Sequence, residues 1–431
     1  MSDRHHARYE MVVSLTATLR LRTATKAFCN CAVSPDDDEP NAHTCPVCLG
    51  LPGALPVLNE RAVEQGARVA LALHCTVAPM SAFARRHRFT PALPKGYQIT
   101  QQELALGTEG HVQIGETREG APIPVNVTCA RLEEEPGRAV HGRFTRASAL
   151  DFNLAGAPSL RLSSAPEMHS GAEAVAFVRA LRRLARGAGA SDARLDDGSL
   201  RVRARLSVRR LGDTKFGTPC DVVGANSLSA LRAALEQEFA RQCAAVDKGS
   251  GKGSAVERVT MIWDGAGALV PARARPADGD PRYLPEPDLP PLVLTSDWID
   301  EQRRRVPSRP AARREHLARE FGLGGQALDV FTADPELGDY YESAARRHGD
   351  PRAAAEWVLG PVLDTVDAAG GDLDAFSLRV RPADLADLLD MLRDGQLGPA
   401  GAKHVFGVMA RTGDPAARVA KREGLWPARG G

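Results

Sequence analysis

The stretch Thr44-Cys-Pro-Val-Cys-Leu-Gly-Leu-Pro-Gly-Ala-Leu-Pro-Val57 decides the fold of the first part of this chain. It completes a set of four cysteines that begins with Cys29 and Cys31 and, after thirteen further residues, ends with Cys45 and Cys48. Four thiolates at this spacing suit a tetrahedral zinc ion and leave no coordination position open for a reactive water. The pattern predicts a closed structural zinc site within residues 29–48. The alternative is a group of reduced cysteines that bind no metal.

The bulk composition is that of an ordinary globular protein of two or three domains. The chain has 431 residues, of which 43% are hydrophobic and 25% charged, and its formal net charge is +1. Any contact with nucleic acid must therefore come from local basic patches. No stretch approaches the ~20 apolar residues of a membrane span, and the start MSDRHHARYE lacks the apolar core of a signal peptide. We expect a cytoplasmic protein without a membrane partner, whose clustered cysteines bind metal rather than form disulfides.

Two segments alternate apolar and polar residues as half-buried strands do. The first runs from residue 13 to residue 21 and points Thr16 and Thr18 to its polar face. The second runs from residue 200 to residue 209, and its polar face carries Arg201, Arg203, Arg205 and Arg209. Four like charges on one face repel each other unless an anion lies among them.

A change of texture predicts two domains. Residues 1–295 mix short strands with helices and Gly/Pro turns, which favours an α+β domain. The proline-rich segment 281–294 leads into residues 296–431, which are predicted to be entirely helical. One helix there begins at Pro382, stops before Gly395 and has an apolar stripe at helical spacing: Leu385, Leu388, Leu389 and Leu392.

The acidic run LEEE at 132–135 has two interpretations. It is either a source of metal-binding carboxylates or a face that remains in water. Taken alone, the run favours the solvated face, because that is the usual location of consecutive charges.

Further strings accompany the cysteine stretch: EPN at 39–41, LPKGYQ at 93–98 with Gln101, LEE at 132–134 with His141, GSLR at 198–201, KFGT at 215–218 and PEPDLPPL at 285–292. With these strings the chain resembles the GatB/GatE family, which supplies the GatB subunit of the tRNA-dependent Asp/Glu amidotransferase. The resemblance extends over nearly the whole chain, to about residue 425.

The resemblance implies a fold and an activity. The fold is a glutamine-synthetase-like catalytic (cradle) domain followed by a helical domain with a YqeY-like tail. With an amidase subunit and a small clamp subunit, such a protein binds Glu-tRNA(Gln) or Asp-tRNA(Asn). It phosphorylates the side-chain carboxylate with ATP and Mg²⁺, and ammonia then displaces the phosphate. The acyl phosphate replaces a poor leaving group by a good one.

The resemblance also assigns roles to single residues. Catalytic roles fall on Glu133, Glu134, His141 and Asp221. Nucleotide or phosphate binding falls on Lys95, Tyr97, Gln98, Gln101, Arg201 and Lys215.

The metal-binding carboxylates of the family are the part that differs most. The family has Glu and His where this chain has Thr16 and Thr18, two further Glu where it has Arg161 and Ala165, and Asp where it has Arg203. A last Glu is shortened to Asp221. The local charge becomes more positive by about six units, which disfavours Mg²⁺. We predict that Arg161, Arg203 and the nearby Arg205 bind an anion, such as a phosphate or the tRNA 3′ end, without a metal. The alternative is a decayed site in which these arginines only meet solvent.

Two functions are compatible with these features. The first is the GatB component of an amidotransferase that makes Gln-tRNA or Asn-tRNA. The alternative is a paralogue, a pseudoenzyme candidate, that keeps the fold, the zinc and the aminoacyl-tRNA surface but serves another pathway such as specialised metabolism. The resemblance over nearly the whole chain favours the first function. The lost carboxylates favour the alternative, as does a YqeY-like tail that is expected to be truncated near residue 431.

Overall fold

The computed structural model describes residues 8–34, 39–116, 122–140, 149–248, 256–272, 282–306, 309–368 and 373–425. The chain divides into two compact units, one of Met1–Asn226 with Ala230–Pro307 and one of Ser227–Ser229 with Ser308–Gly431. The first contains a large mixed sheet with helices, and the second is helical. The predicted α+β class and the helical C-terminal region are confirmed. The boundary between residues 295 and 296 stays a prediction.

The strands of the described residues are β1 (Tyr9–Arg20), β2 (Thr76–Val77), β3 (Met80–Ser81), β4 (Ala84–His87), β5 (Tyr97–Thr100), β6 (Gly107–Glu116), β7 (Pro122–Glu134), β8 (Arg138–Val140), β9 (Ala149–Asp151), β10 (Pro158–Ser164), β11 (Leu200–Arg210), β12 (Cys220–Val223), β13 (Thr260–Trp263), β14 (Leu269–Pro271), β15 (Tyr283–Pro285) and β16 (Leu292–Val293). Twelve of them form one sheet in the order β14-β13-β12-β11-β1-β10-β7-β5-β4-β15, with β6 beside β7 and β2 beside β6. Strand β12 pairs with β13 in parallel, and the other neighbours within this sheet are antiparallel.

The register around β1 sets the polar face of this sheet. Thr16 lies opposite Arg203, and Thr18 lies between Arg201 on one side and Arg161 on the other. Directly opposite residues of an antiparallel pair project to the same face. The alternating pattern of β1 and β11 therefore gathers these five side chains on one surface.

The helices of the first unit are α1 (Glu60–Ala72), α2 (Gly171–Gly187), α3 (Leu228–Lys248) and α4 (Ser296–Arg305). Helix α1 begins after Asn59, whose side chain accepts a hydrogen bond from the backbone of Arg61 and so satisfies one free N–H of the first turn. Gly66 of α1 lies against Leu132 of β7, where an added methyl group would come within 2.9 Å of the leucine. Because Leu132 alternates with Glu133, α1 covers the face opposite to the polar one.

Both ends of the strand order are short. Strands β14 and β15 have three residues each, and each ends in a proline, Pro271 and Pro285. Strand β15 is followed by Glu286, whose buried carboxylate accepts hydrogen bonds of 2.9 and 2.8 Å from Arg85 of β4. This partly buried ion pair links the proline-rich segment to the sheet.

The second unit is described by the helices α5 (Arg309–Phe321), α6 (Gly325–Ala333), α7 (Pro335–His348), α8 (Pro351–Trp357), α9 (Leu363–Ala368), α10 (Leu373–Ser377), α11 (Pro382–Arg393), α12 (Pro399–Thr412) and α13 (Ala416–Arg422), with a π-helical turn at Val358–Val362. Phe331 stacks on Tyr341 with 4.4 Å between the ring centroids in the core of this unit. Leu385, Leu388 and Leu389 of α11 are buried, as their spacing predicts. None of the described helices is long and apolar enough to cross a membrane.

Candidate functional site

The four clustered cysteines converge. Cys29, Cys31, Cys45 and Cys48 place their sulfur atoms within 4.8 Å of one another, and Sγ of Cys45 lies 3.9 Å from Sγ of Cys48. Tetrahedral zinc with bonds of about 2.3 Å to sulfur requires sulfur atoms roughly 3.8 Å apart. The donors are all thiols and the fourth position is filled by protein, so the cluster can hold a metal ion and fits a structural zinc site.

A buried lysine lies beside this centre. Nζ of Lys26 is 3.6 Å from Sγ of Cys48 and donates hydrogen bonds of 2.7 Å to the carbonyl of His43 and 3.2 Å to that of Phe152. The side chain is fully buried. A hydrogen bond from Cys29 lowers the pKa of Cys48 to about 4, and the charge of Lys26 acts in the same direction. Thiolate is the form that binds metal, and four thiolates around one divalent ion leave an excess of negative charge that Lys26 offsets.

Replacement of Lys26 by methionine is expected to weaken zinc binding by about 10- to 100-fold, since residues that support the ligands have effects of this size. The measurement is competition for zinc with a chromogenic chelator. Lys215→Met is the matched control, because Lys215 lies exposed in a loop and its replacement removes the same charge. Equal zinc affinity of wild type and Lys26→Met would contradict this role.

A cavity of about 1010 Å³ opens on the polar face of the large sheet. It is lined by seven arginines and four carboxylates, which leaves a formal charge of +3. The arginines are Arg20, Arg86, Arg88, Arg138, Arg161, Arg201 and Arg203, and the carboxylates are Glu133, Glu135, Asp196 and Asp197.

Strand register explains why these residues meet. Gln98 of β5 lies opposite Arg86 of β4. Two residues further along β5, Thr100 lies opposite Glu133 of β7, so Gln98 and Glu133 project to the same face. Thr18 of β1 then brings in Arg161 from β10. These side chains come from five strands, β4, β5, β7, β10 and β1, of which β1 and β10 are more than a hundred residues apart in sequence.

Most carboxylates of the cavity already have partners. Glu135 accepts from Arg201 at 2.7 Å through one oxygen, and its other oxygen lies 2.5 Å from the same guanidinium nitrogen. Asp196 accepts from Arg194 at 2.6 Å, and Asp197 accepts from the backbone of Ser199 at 2.7 Å.

Glu133 is the exception. It is 8% exposed, and its Oε2 atom has no hydrogen-bond partner among the described residues. The nearest guanidinium nitrogen of Arg161 lies 3.9 Å from Oε2, beyond hydrogen-bond distance. Burial raises the pKa of Glu133, against the opposing charge of Arg161. The carboxyl group is therefore held at the floor of a cationic cavity with one oxygen available to a ligand.

The cavity does not fit a protein-held Mg²⁺ ion. Magnesium requires an octahedral shell of oxygen atoms that includes carboxylates. In the part of the chain that the structure describes, the cysteine cluster is the one group of three or more potential ligands that converge. Asp221, where the resemblance implies a glutamate, lies 3.0 Å from Arg205 and 3.9 Å from Arg203. This carboxylate therefore faces guanidinium groups.

The structure places some of the predicted site residues in the cavity and others elsewhere. The cavity is lined by Gln98, Glu133, Arg161, Arg201 and Arg203. Asp221 lies beside the cavity and pairs with Arg205 at 3.0 Å, with Arg203 at 3.9 Å. His141 lies outside the described residues. The others are absent from the lining: Lys95, Tyr97, Gln101, Glu134 and Lys215. Their catalytic and nucleotide-binding roles stay predictions.

Lys95 and Glu134 pair with each other. The distance from Nζ to Oε1 is 2.5 Å, both side chains are buried, and Oε1 also accepts from the backbone of Ile99 at 2.8 Å. Gly156 lies between this pair and the cysteine centre, since a Cβ atom there would lie 3.9 Å from Oε2 of Glu134 and 3.4 Å from Cβ of Cys48. The pair therefore belongs to the surroundings of the cysteine centre.

Gln101 is likewise occupied. Its Oε1 atom accepts from the backbones of Leu106 at 3.0 Å and Leu132 at 2.9 Å, and its Nε2 atom donates to Ser81 at 2.9 Å. The side chain is fully buried, and its amide links the segments that contain Ser81, Leu106 and Leu132.

The solvated interpretation of the acidic run is wrong. Glu133, Glu134 and Glu135 are 8, 2 and 5% exposed. Alternation along β7 sends Glu133 to the cavity and Glu134 toward Lys95. Among the described residues, Glu133 has an unpaired oxygen, Glu134 pairs with Lys95 and Glu135 pairs with Arg201, so three identical residues in sequence have three different environments.

Two family profiles match the chain. The GatB/GatE catalytic domain matches residues 11–300, and the GatB domain matches residues 339–429. The chain belongs to the GatB/GatE family. The catalytic-domain match contains both the cysteine centre and the arginine-lined cavity.

Relatives within the GatB/GatE family agree in name. The chain is 39% identical over 420 residues to the B-type subunit of the aspartyl/glutamyl-tRNA(Asn/Gln) amidotransferase of Moorella thermoacetica, covering 97% of this chain and 86% of the relative. The proteins of the same name from Carboxydothermus hydrogenoformans and Geotalea daltonii are each 37% identical, with the same two coverages. Nothing in these comparisons supports the alternative role in another pathway or the pseudoenzyme interpretation.

Proposed function

We propose that this chain is the GatB component of a tRNA-dependent amidotransferase that converts Glu-tRNA(Gln) or Asp-tRNA(Asn) to the amide. The cationic cavity carries the proposal, because the activation step concentrates negative charge at one place. In that step a carboxylate oxygen attacks the terminal phosphorus of ATP, and the bond to ADP breaks. Ammonia then attacks the acyl carbon, and phosphate leaves.

The residues of the cavity suit this chemistry. Arg161 and Arg203 offer planar N–H donors to the equatorial oxygens of the transferred phosphoryl group. Fixed charges in a partly enclosed site stabilise developing negative charge without reorganisation of solvent. Thr16 and Thr18 add neutral hydroxyl groups between the arginines.

The remaining parts of the proposal follow from the family. The cysteine centre holds zinc as a structural ion. An amidase subunit supplies ammonia, a small clamp subunit completes the assembly, and the reaction takes place in the cytoplasm, where aminoacyl-tRNA is found.

The test is amide formation by the reconstituted assembly with misacylated tRNA, glutamine and ATP. Wild type should form Gln-tRNA or Asn-tRNA, and Arg203→Ala should lower the rate by about 100-fold, the effect of removing one donor to a developing oxyanion. Arg210→Ala is the control. Arg210 lies exposed on the same strand but does not line the cavity, and its loss should change the rate by less than about twofold. Absence of amide product with both tRNA classes would refute the proposed function.

A further inference from the structure

We propose that the arginine-lined cavity binds the phosphates of a nucleoside triphosphate directly through guanidinium groups, without a divalent cation held by the protein. This inference rests on the proposed function for the identity of the nucleotide, and it changes the means by which the phosphates are neutralised. The positions that converge on β1, β10 and β11 are hydroxyl and guanidinium groups instead of carboxylates.

Charge and space favour a polyanion. The cavity of about 1010 Å³ is large enough for a nucleotide, and its arginines exceed its carboxylates by three. Planar guanidinium groups bind phosphate oxygens through paired N–H donors. A free divalent cation would meet net repulsion here, whereas a triphosphate would neutralise the excess.

Two arginines are placed to receive the ligand. The carboxylate nearest to Arg161 is that of Glu133, and the carboxylate nearest to Arg203 is that of Asp221. Each lies 3.9 Å away, so neither contact is a hydrogen bond. Arg201, by contrast, lies 2.5 Å from Glu135 and is held by that pair. Arg161 and Arg203 are 31 and 54% exposed, so a phosphate can approach both without displacing a formed hydrogen bond.

Two buried polar atoms point to a missing ligand. Oε2 of Glu133 and Nε of Arg86 are both buried without a hydrogen-bond partner in the described residues, and both residues line the cavity. Buried polar atoms of folded proteins nearly always have partners. The ligand would bring an acceptor oxygen to the guanidinium group of Arg86. Burial raises the pKa of Glu133, which makes it easier for this carboxyl group to retain a proton and donate it to a phosphate oxygen.

The experiment is calorimetric titration of the full chain with ATP, once in magnesium-free buffer and once with MgCl₂. No chelator is added, because EDTA would also remove zinc from the cysteine centre. We expect affinity in magnesium-free buffer to equal or exceed that in MgCl₂, because free ATP carries more negative charge than its magnesium complex. Tripolyphosphate should compete, which separates recognition of the phosphates from recognition of the nucleoside. Binding that requires Mg²⁺, or no binding in either buffer, would overturn the inference. Competition by adenosine without competition by tripolyphosphate would overturn it as well.

Variants locate the binding. Arg161→Ala and Arg203→Ala should each weaken ATP binding in magnesium-free buffer by about 10- to 100-fold, the size of a charge-assisted hydrogen bond. Arg210→Ala should leave it within about twofold. Should either alanine variant misfold by circular dichroism, Arg161→Gln and Arg203→Gln replace it, since glutamine retains most of the packing. Unchanged affinity in folded variants of both arginines would reject the site.

The two proposals fail separately. Metal-independent ATP binding without amide formation by the assembly would refute the proposed function and leave the phosphate site intact. Amide formation together with ATP affinity that depends on Mg²⁺ would refute the metal-independent phosphate site and leave the proposed function intact.

Discussion

Replacement of Cys48 by serine is expected to remove the metal from the chain and to lower its melting temperature by about 10 °C. Cys48 is buried and its sulfur is within 4.8 Å of the other three. A structural zinc ion contributes its binding free energy to folding, and loss of ~6 kcal/mol, about half of a typical zinc-binding free energy, shifts the melting temperature of a domain of this size by roughly 10 °C. Zinc content by mass spectrometry and thermal unfolding by circular dichroism measure the two effects.

The control for this prediction is Cys129→Ser. Cys129 is partly buried in β7 and lies outside the cluster. It should retain about one zinc per chain with a melting temperature within ~2 °C of wild type. If Cys48→Ser behaved in the same way, the cluster would be a group of reduced cysteines, the alternative that its spacing leaves open.

Replacement of Lys95 by methionine is expected to destabilise the protein by about 3 to 5 kcal/mol, the cost of leaving a buried charge without its partner. The side chains of Lys95 and Glu134 are 8 and 3% exposed, and their charged atoms lie 2.5 Å apart. Urea unfolding measures the change in free energy. A phosphate contact at the surface of a cavity would instead affect nucleotide binding and leave stability unchanged.

A second substitution separates charge from packing. In Lys95→Met with Glu134→Gln the buried charge is gone, and the glutamine oxygen can still accept from the backbone of Ile99. The double variant should recover a large part of the lost stability, so that the two effects are strongly non-additive. Simple addition of the two losses would show that Lys95 and Glu134 act independently, and would restore the phosphate-binding interpretation of Lys95.

Local patterns predicted much of the secondary structure. The alternation of residues 13–21 and 200–209 corresponds to β1 and β11, and the leucine stripe after Pro382 to α11. These patterns extend over a few consecutive residues, so they can be recognised in a single sequence. The four cysteines also lie close enough in sequence for their spacing to predict their convergence, which the structure confirms.

The arrangement of the cavity could not be predicted in the same way. Thr18 meets Arg161 across strands that are over a hundred residues apart, and the register depends on the whole sheet. Sequence patterns alone do not identify Lys26, Arg86 and Glu135 as parts of a site. The run Arg85-Arg86-His87-Arg88 is the available signal for one of them, but only the pairing of β4 with β5 turns Arg86 toward the cavity.

The two short terminal strands of the large sheet have a consequence for behaviour at high concentration. An unpaired strand edge is a template on which another chain can add a strand, and long apolar edges lead to aggregation. Here the ends of the strand order are the three-residue β14 and β15, each with a proline that cannot donate a hydrogen bond to an incoming strand. The partly buried ion pair between Arg85 and Glu286 keeps β15 in place, so another chain does not readily add a strand at either end of this order.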